Sequence, residues 1–206
     1  MKYYKINIPE KFGDSGLLEN LREEILNYEG GGKIPLMWNN KDIPKGYDED
    51  TDPKVKVRTN YRESQWGQKE SKPWYSKYIA RYLIELMHPL PMGNKWWNHY
   101  QKGYGQGTHT HDEDNNPKCL FGSILYVCGT SPTVFIEPDG RKIRPEVKDG
   151  DFLLFESWVP HYATAESERM TISANFYDLG SEESTTSIMY DWDDKMENRG
   201  FERIVA

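Results

Sequence analysis

At 206 residues the chain suits one domain with extensions. Its formal net charge of −7, its pI near 5.3 and the lack of any basic run argue against tight nonspecific binding to nucleic acid or to an anionic membrane surface. No apolar segment of spanning length and no basic-then-apolar leader is present, and the two cysteines are expected as reduced thiols, which together predict a cytoplasmic protein.

The first predicted element is a helix. Asp14 or Ser15 can cap it, Leu17, Leu18, Leu21 and Ile25 form an apolar stripe at helical spacing, and Gly30-Gly31-Gly32 ends it. From Gly30 to Lys72 the chain is polar, with the acidic run Asp48-Glu49-Asp50 beside Lys54 to Arg58. That is too long for an ordinary connection and reads either as a substrate lid or as a solvated loop with short strands. A second helix is predicted to start near Pro73, to bury Trp74, Ile79, Tyr82, Leu83 and Leu86, and to stop before Pro89. Both stripes are core-forming and are given no chemical role.

From Trp96 onward strand signals recur: Trp96 to Lys102, Leu120 to Cys128, Thr133 to Glu137, Asp151 to Glu156 and Arg169 to Asp178. Gly129, Pro138-Asp139-Gly140 and Asp149-Gly150 punctuate them as turns. Strands at this spacing suggest a barrel or jelly roll, so the fold class is mainly β with N-terminal helices (α+β). Cys119 and Cys128 lie near the ends of one strand, roughly 30 Å apart when it is straight, and cannot bridge each other. The tail from Ser181 to Ala206 is polar and acidic, with Tyr190 and Trp192 suited to dock on the core. Most of the seven tryptophans and fourteen tyrosines are expected to be packing residues with a polar edge near water.

Three of the five histidines fall in two short segments, His109-Thr110-His111 and His161. In an extended strand alternate side chains share a face and residues rise by roughly 3.3 Å, so His109 and His111 project the same way. Both can then reach one metal ion at a bond length of roughly 2.1 Å. His161 is the candidate third ligand: it follows the apolar run Asp151 to Phe155 and precedes Arg169 to Phe176, which alternates like a half-buried strand. Trp96 and Trp97 flank this region, and Trp158, just before His161, is the better candidate for a pocket wall.

The stretch from Asn98 to Glu113 resembles the metal-binding segment of the 2-oxoglutarate- and Fe(II)-dependent oxygenases, including their prolyl hydroxylase and AlkB-like branches. Asn98, Tyr100, Gly103 and His109 stand at the spacing of the pattern Asn-x-Tyr-x-x-Gly, five residues, His-x-Asp, and His161 is followed eight residues later by Arg169. The likeness covers about Lys95 to Asp178 and rests on the order and spacing of these residues together. It departs from the pattern at one position, where His111 stands in place of the carboxylate. His109, His111 and His161 are the preferred metal ligands. Asp112 or Glu113 remains able to supply a carboxylate instead, and His111, Glu113 and His161 form the competing register.

The resemblance implies a double-stranded β-helix (jelly roll) core over 95–180, with 1–94 as helical support and long loop, two N-terminal helices packed on one sheet, and 181–206 as a C-terminal extension. It implies Fe(II) and 2-oxoglutarate as cofactors, O2 as co-substrate, and hydroxylation of a protein side chain or small molecule with 2-oxoglutarate going to succinate. A far carboxylate on the keto acid needs a fixed cation, and the Arg169 guanidinium can fork onto it. Thr171, on the same strand face, can add a hydrogen bond. Asn98 and Tyr100 are implied to help hold the cofactor. The protein itself then supplies positioning and a shielded pocket, with no acid or base. For Arg169 the competing reading is an exposed ion pair with Glu166 or Glu168. For the chain as a whole the alternatives are a noncatalytic β-barrel binding module and a cupin-type three-histidine dioxygenase that uses no keto acid.

Overall fold

A computed structural model describes residues 2–27, 32–33, 57–59, 78–111, 118–178 and 185–204. The strand signals become β4 (Met92–Tyr100), β6 (Lys118–Cys128), β7 (Thr133–Ile136), β9 (Asp151–Glu156) and β11 (Arg169–Asp178). Short strands β5 (Gly105–His109), β8 (Lys142–Ile143) and β10 (His161–Thr164) complete this part of the chain. All twelve described strands fall in two antiparallel sheets. The N-terminal strand β1 (Tyr3–Asn7), β2 (Gly32–Lys33), β3 (Val57–Thr59) and the C-terminal β12 (Glu202–Ile204) join the larger one. That eight-stranded sheet runs β12-β1-β9-β6-β11-β4-β3-β2, and the four-stranded sheet runs β5-β10-β7-β8. This is a jelly roll, one of the two architectures that the strand spacing suggests and the one that the resemblance implies.

The larger sheet is apolar on both faces. On one, Phe152 and Leu154 of β9, Leu125 of β6, Trp97 of β4 and Met170, Ile172, Ala174 and Phe176 of β11 meet the helices. On the other, Leu153 and Phe155 of β9 and Ile124 and Tyr126 of β6 meet Phe135 and Val159. Period-2 alternation therefore sends the four apolar residues of β9 into one core or the other, and with Asp151 and Glu156 also buried the strand reads as a continuous buried run. Each such large apolar side chain contributes about 1.5–3 kcal/mol when fully buried.

Helix α1 (Ile8–Phe12) follows β1 directly, and Asn7 caps it by accepting from Glu10 N at 3.2 Å. Helix α2 (Leu17–Leu26) buries Leu17, Leu21 and Ile25, with Leu18 half-buried. Its cap differs from expectation: Gly16 holds that position without a side-chain bond, while the Asp14 carboxylate accepts from Tyr82 Oη at 2.6 Å. Helix α3 (Ala80–Met87) buries Tyr82, Leu83, Leu86 and Met87, and Ile79 beside it is buried too. Its proposed start near Pro73 and Trp74 lies outside the described residues. Both α2 and α3 contribute to the core on the same face of the larger sheet, as expected.

The ends of the chain do more than expected. The segment 1–94 supplies strands as well as helices, and β2 and β3 show that parts of the Gly30 to Lys72 segment extend the larger sheet. The lid expected in that segment lies outside the described residues. The tail forms helix α4 (Thr185–Asn198), whose Trp192 is 2% exposed and packs edge-on against Phe121, followed by β12 against β1. Both cysteines are free thiols. No helix among the described residues is long and apolar enough to cross a membrane.

Candidate metal centre

The pairing of β5 with β10 sets His109 opposite His161 in register. Their rings lie 4.3 Å apart between centroids. The ladder of β5 stops at His109, so His111 is not held by the strand. Its backbone N donates instead to Ser157 O at 2.7 Å, and its ring comes to 5.4 Å from His109 and 4.9 Å from His161. One ring nitrogen from each of the three lies within 4.8 Å of the others. Asp112 and Glu113, the alternative carboxylates, lie outside the described residues.

Backbone carbonyls fix which nitrogen carries the lone pair at His109 and His161, and a side-chain amide points the same way at His111. His109 Nδ1 donates to Gly107 O at 2.9 Å and His161 Nδ1 to Val159 O at 3.0 Å, and a backbone carbonyl can only accept. His111 Nδ1 lies 2.7 Å from the amide oxygen of Asn175. With the proton on Nδ1, all three lone pairs sit on Nε2, the form in which an imidazole binds a metal. Burial pushes all three below the ordinary histidine range. His109 adds repulsion at His111, which falls to about 3, and both neighbours do so at His161. The rings are therefore neutral near pH 7. Gly122 leaves them room: a β-carbon there would sit 2.6 Å from His111 Nδ1 and 2.7 Å from the Phe155 ring.

The histidines open onto a pocket of about 300 Å³, its mouth included, that lies between the two sheets. Alternate residues of β11 and β4 pave one side, with Arg169 paired to Tyr100, Thr171 to Asn98 and Ser173 to Trp96. Gln106 and Thr133 line the other side. All four residues expected at the cofactor end, Asn98, Tyr100, Arg169 and Thr171, thus share this pocket with the three histidines.

Arg169 is only 1% exposed. Its Nη2 donates to Thr133 Oγ1 at 2.7 Å, whereas Nε and Nη1 are buried with no hydrogen-bond partner among the described residues. The guanidinium lies between the rings of Tyr100 and Tyr126, at 5.4 and 5.1 Å from their centroids. The ion pair with Glu166 or Glu168 does not form: Glu168 holds His99 at 2.9 Å and Arg22 at 3.5 Å, and Glu166 is exposed. A buried cation with unmet donors is costly, and an anion in the pocket would relieve that cost. The donor set fits a metal, and these orphaned N–H groups fit a carboxylate.

One expectation needs correcting. Trp158 is 41% exposed and is no part of the pocket wall, which Trp96 supplies, 5.6 Å from His111. Trp97 points to the other side of β4, into the helical core. The reading of the chain also missed Ser173 and Asn175, which period-2 spacing from Arg169 could have found, and Gln106, Thr133 and Tyr126, for which it carries no signal.

No family model matches the chain, and no curated protein matches it in sequence. Solved structures do. A prolyl hydroxylase in complex with a hypoxia inducible factor oxygen degradation domain peptide, from Trichoplax adhaerens, is 15% identical with a TM-score of 0.56, over 85% of this chain and 83% of that one. A Pseudomonas putida prolyl-4-hydroxylase is 13% identical with a TM-score of 0.51, over 85% and 92%. The non-heme alpha ketoglutarate dependent carbocyclase SnoK from nogalamycin biosynthesis is 13% identical with a TM-score of 0.54, over 90% and 85%. At these identities the likeness is one of fold. The chain shares the jelly-roll fold of these three structures.

Proposed function

We propose that the protein is a non-haem Fe(II)- and 2-oxoglutarate-dependent oxygenase that hydroxylates a protein side chain or a small molecule. In this reading His109, His111 and His161 hold the metal, and Arg169 with Thr171 receives the far carboxylate of the keto acid. The observation that carries it is the buried, under-bonded guanidinium in the same pocket as three imidazoles whose lone pairs sit on Nε2. A structural zinc site is closed by four ligands, whereas the described residues bring three imidazoles together beside an anion-seeking guanidinium.

When bound, iron and 2-oxoglutarate would supply the chemistry that activates O2, one oxygen atom going to the substrate and the other to the succinate left when the keto acid loses CO2. The protein's own residues orient and shield. Tyr100 donates to Gln106 Oε1 at 3.1 Å, so its hydroxyl is tied to β5 while its ring faces Arg169. Thr133 fixes one arm of the guanidinium and leaves Nε and Nη1 to bind the carboxylate. Three neutral imidazoles leave the charge of a divalent metal whole, which favours a doubly charged keto acid over a neutral ligand. The fold likeness to a peptide-bound prolyl hydroxylase and to a carbocyclase supports either substrate class.

Anaerobic loading with Fe(II) and 2-oxoglutarate, followed by oxygen, should yield succinate even without a substrate, through uncoupled turnover. Iron-loaded protein that yields none contradicts the proposal.

A further inference from the structure

His109 and His161 are oriented by the same local device: each donates Nδ1–H to the carbonyl two residues earlier in the chain, Gly107 O and Val159 O. No side-chain change can remove those acceptors. His111 has no such carbonyl on its Nδ1 and stands past the end of β5. Its ring is met instead by Asn175 on β11, 5% exposed, with Oδ1 2.7 Å from Nδ1. On its other side Asn175 Nδ2 donates to Tyr177 Oη at 3.5 Å. Across the ladder from Asn175 is Gly122, the residue whose missing side chain admits the His111 ring.

A carboxylate at position 111 could bind a metal through either oxygen with no choice of tautomer. An imidazole must put its proton on the outer nitrogen, and something must hold it there. We infer that Asn175 is a positioning residue that makes His111 a metal ligand, its side-chain oxygen holding the proton on Nδ1 so that Nε2 faces the metal, with Gly122 as the other half of the socket. This inference rests on the metal-centre reading and assigns the residue that lets a histidine serve where a carboxylate is expected.

The test compares wild type with Asn175→Leu, close in size but without an acceptor, and Asn175→Asp, which keeps one. Long-range 1H–15N correlation spectra of the metal-free proteins report the His111 tautomer directly, and competition with a chromophoric chelator reports zinc affinity. Wild type should show Nδ1–H at His111. Asn175→Leu should lose that tautomer and bind zinc about 10- to 100-fold more weakly, while Asn175→Asp restores both. Thermal melts confirm that each variant is folded. A merely structural role would weaken both variants alike, so zinc binding by Asn175→Asp as poor as that of Asn175→Leu overturns the inference. So does an Asn175→Leu protein with wild-type tautomer and affinity. Wild-type protein that binds no zinc overturns the metal-centre reading itself, which separates that failure from a failure at Asn175.

Discussion

Placing an imidazole where a carboxylate is expected changes charge, size and protonation choices at position 111 together. The charge change favours an anionic partner on the metal, and the pocket already turns a buried guanidinium toward one. The size change is met by Gly122. Gly122→Ala should push its methyl group against His111 and Phe155, costing about 1–3 kcal/mol by overpacking and loosening metal binding. A variant with wild-type melting temperature and zinc affinity would show that the ring has room to spare. At this scale the sequence was partly legible. Strand alternation puts Arg169 and Thr171 on one face of β11, because a period of two needs no tertiary knowledge, whereas their meeting with His109 and His161 was implied by the family resemblance. His111 arrives by a different route from the one alternation suggests, since its backbone is anchored to Ser157 rather than to the β5 ladder. Thr133 and Tyr126 were not legible, because they meet Arg169 only once β6, β7 and β11 are packed together.

Among the elements, those formed by local signals were the readable ones. The stripes of α2 and α3 and the apolar runs of β6, β9 and β11 carry their own periodicity. Tyr3–Asn7 is a strand because β9 and β12 flank it, and those partners lie far away in sequence. The same dependence gives the C-terminal elements their anchor. Asp193 of α4 accepts from Lys2 Nζ at 2.8 Å and from Tyr4 Oη, tying the tail to β1. Burial alone would raise its pKa, but these hydrogen bonds and the charges of Lys2 and Arg203 win and hold it below the ordinary carboxylate value. A group with a depressed folded pKa stabilises above its unfolded pKa and ceases to do so as pH falls through the folded value. Asp193→Asn should therefore cost about 1 kcal/mol near pH 7, and the gap from wild type should close as pH drops below about 4. Melting temperatures measured across that range check it, and a gap that is unchanged at low pH would contradict the assignment.

For the whole molecule, apolar layers on the two faces of one sheet flank a polar pocket between the sheets, and the histidines and Arg169 share it. The net charge of −7 makes that buried cation stand out, since among the described residues no Asp or Glu pairs with it. The central claim is that this one pocket holds a metal at the imidazoles and a keto acid at the guanidinium. Its most direct test is anaerobic binding of 2-oxoglutarate to the Fe(II)-loaded protein, compared with Arg169→Ala, with bound iron measured in both. Wild type should bind 2-oxoglutarate saturably, and the variant should retain its iron in full while binding 2-oxoglutarate more weakly by on the order of 30-fold or more. Equal 2-oxoglutarate affinity in the two proteins, or loss of iron from Arg169→Ala, would contradict the claim.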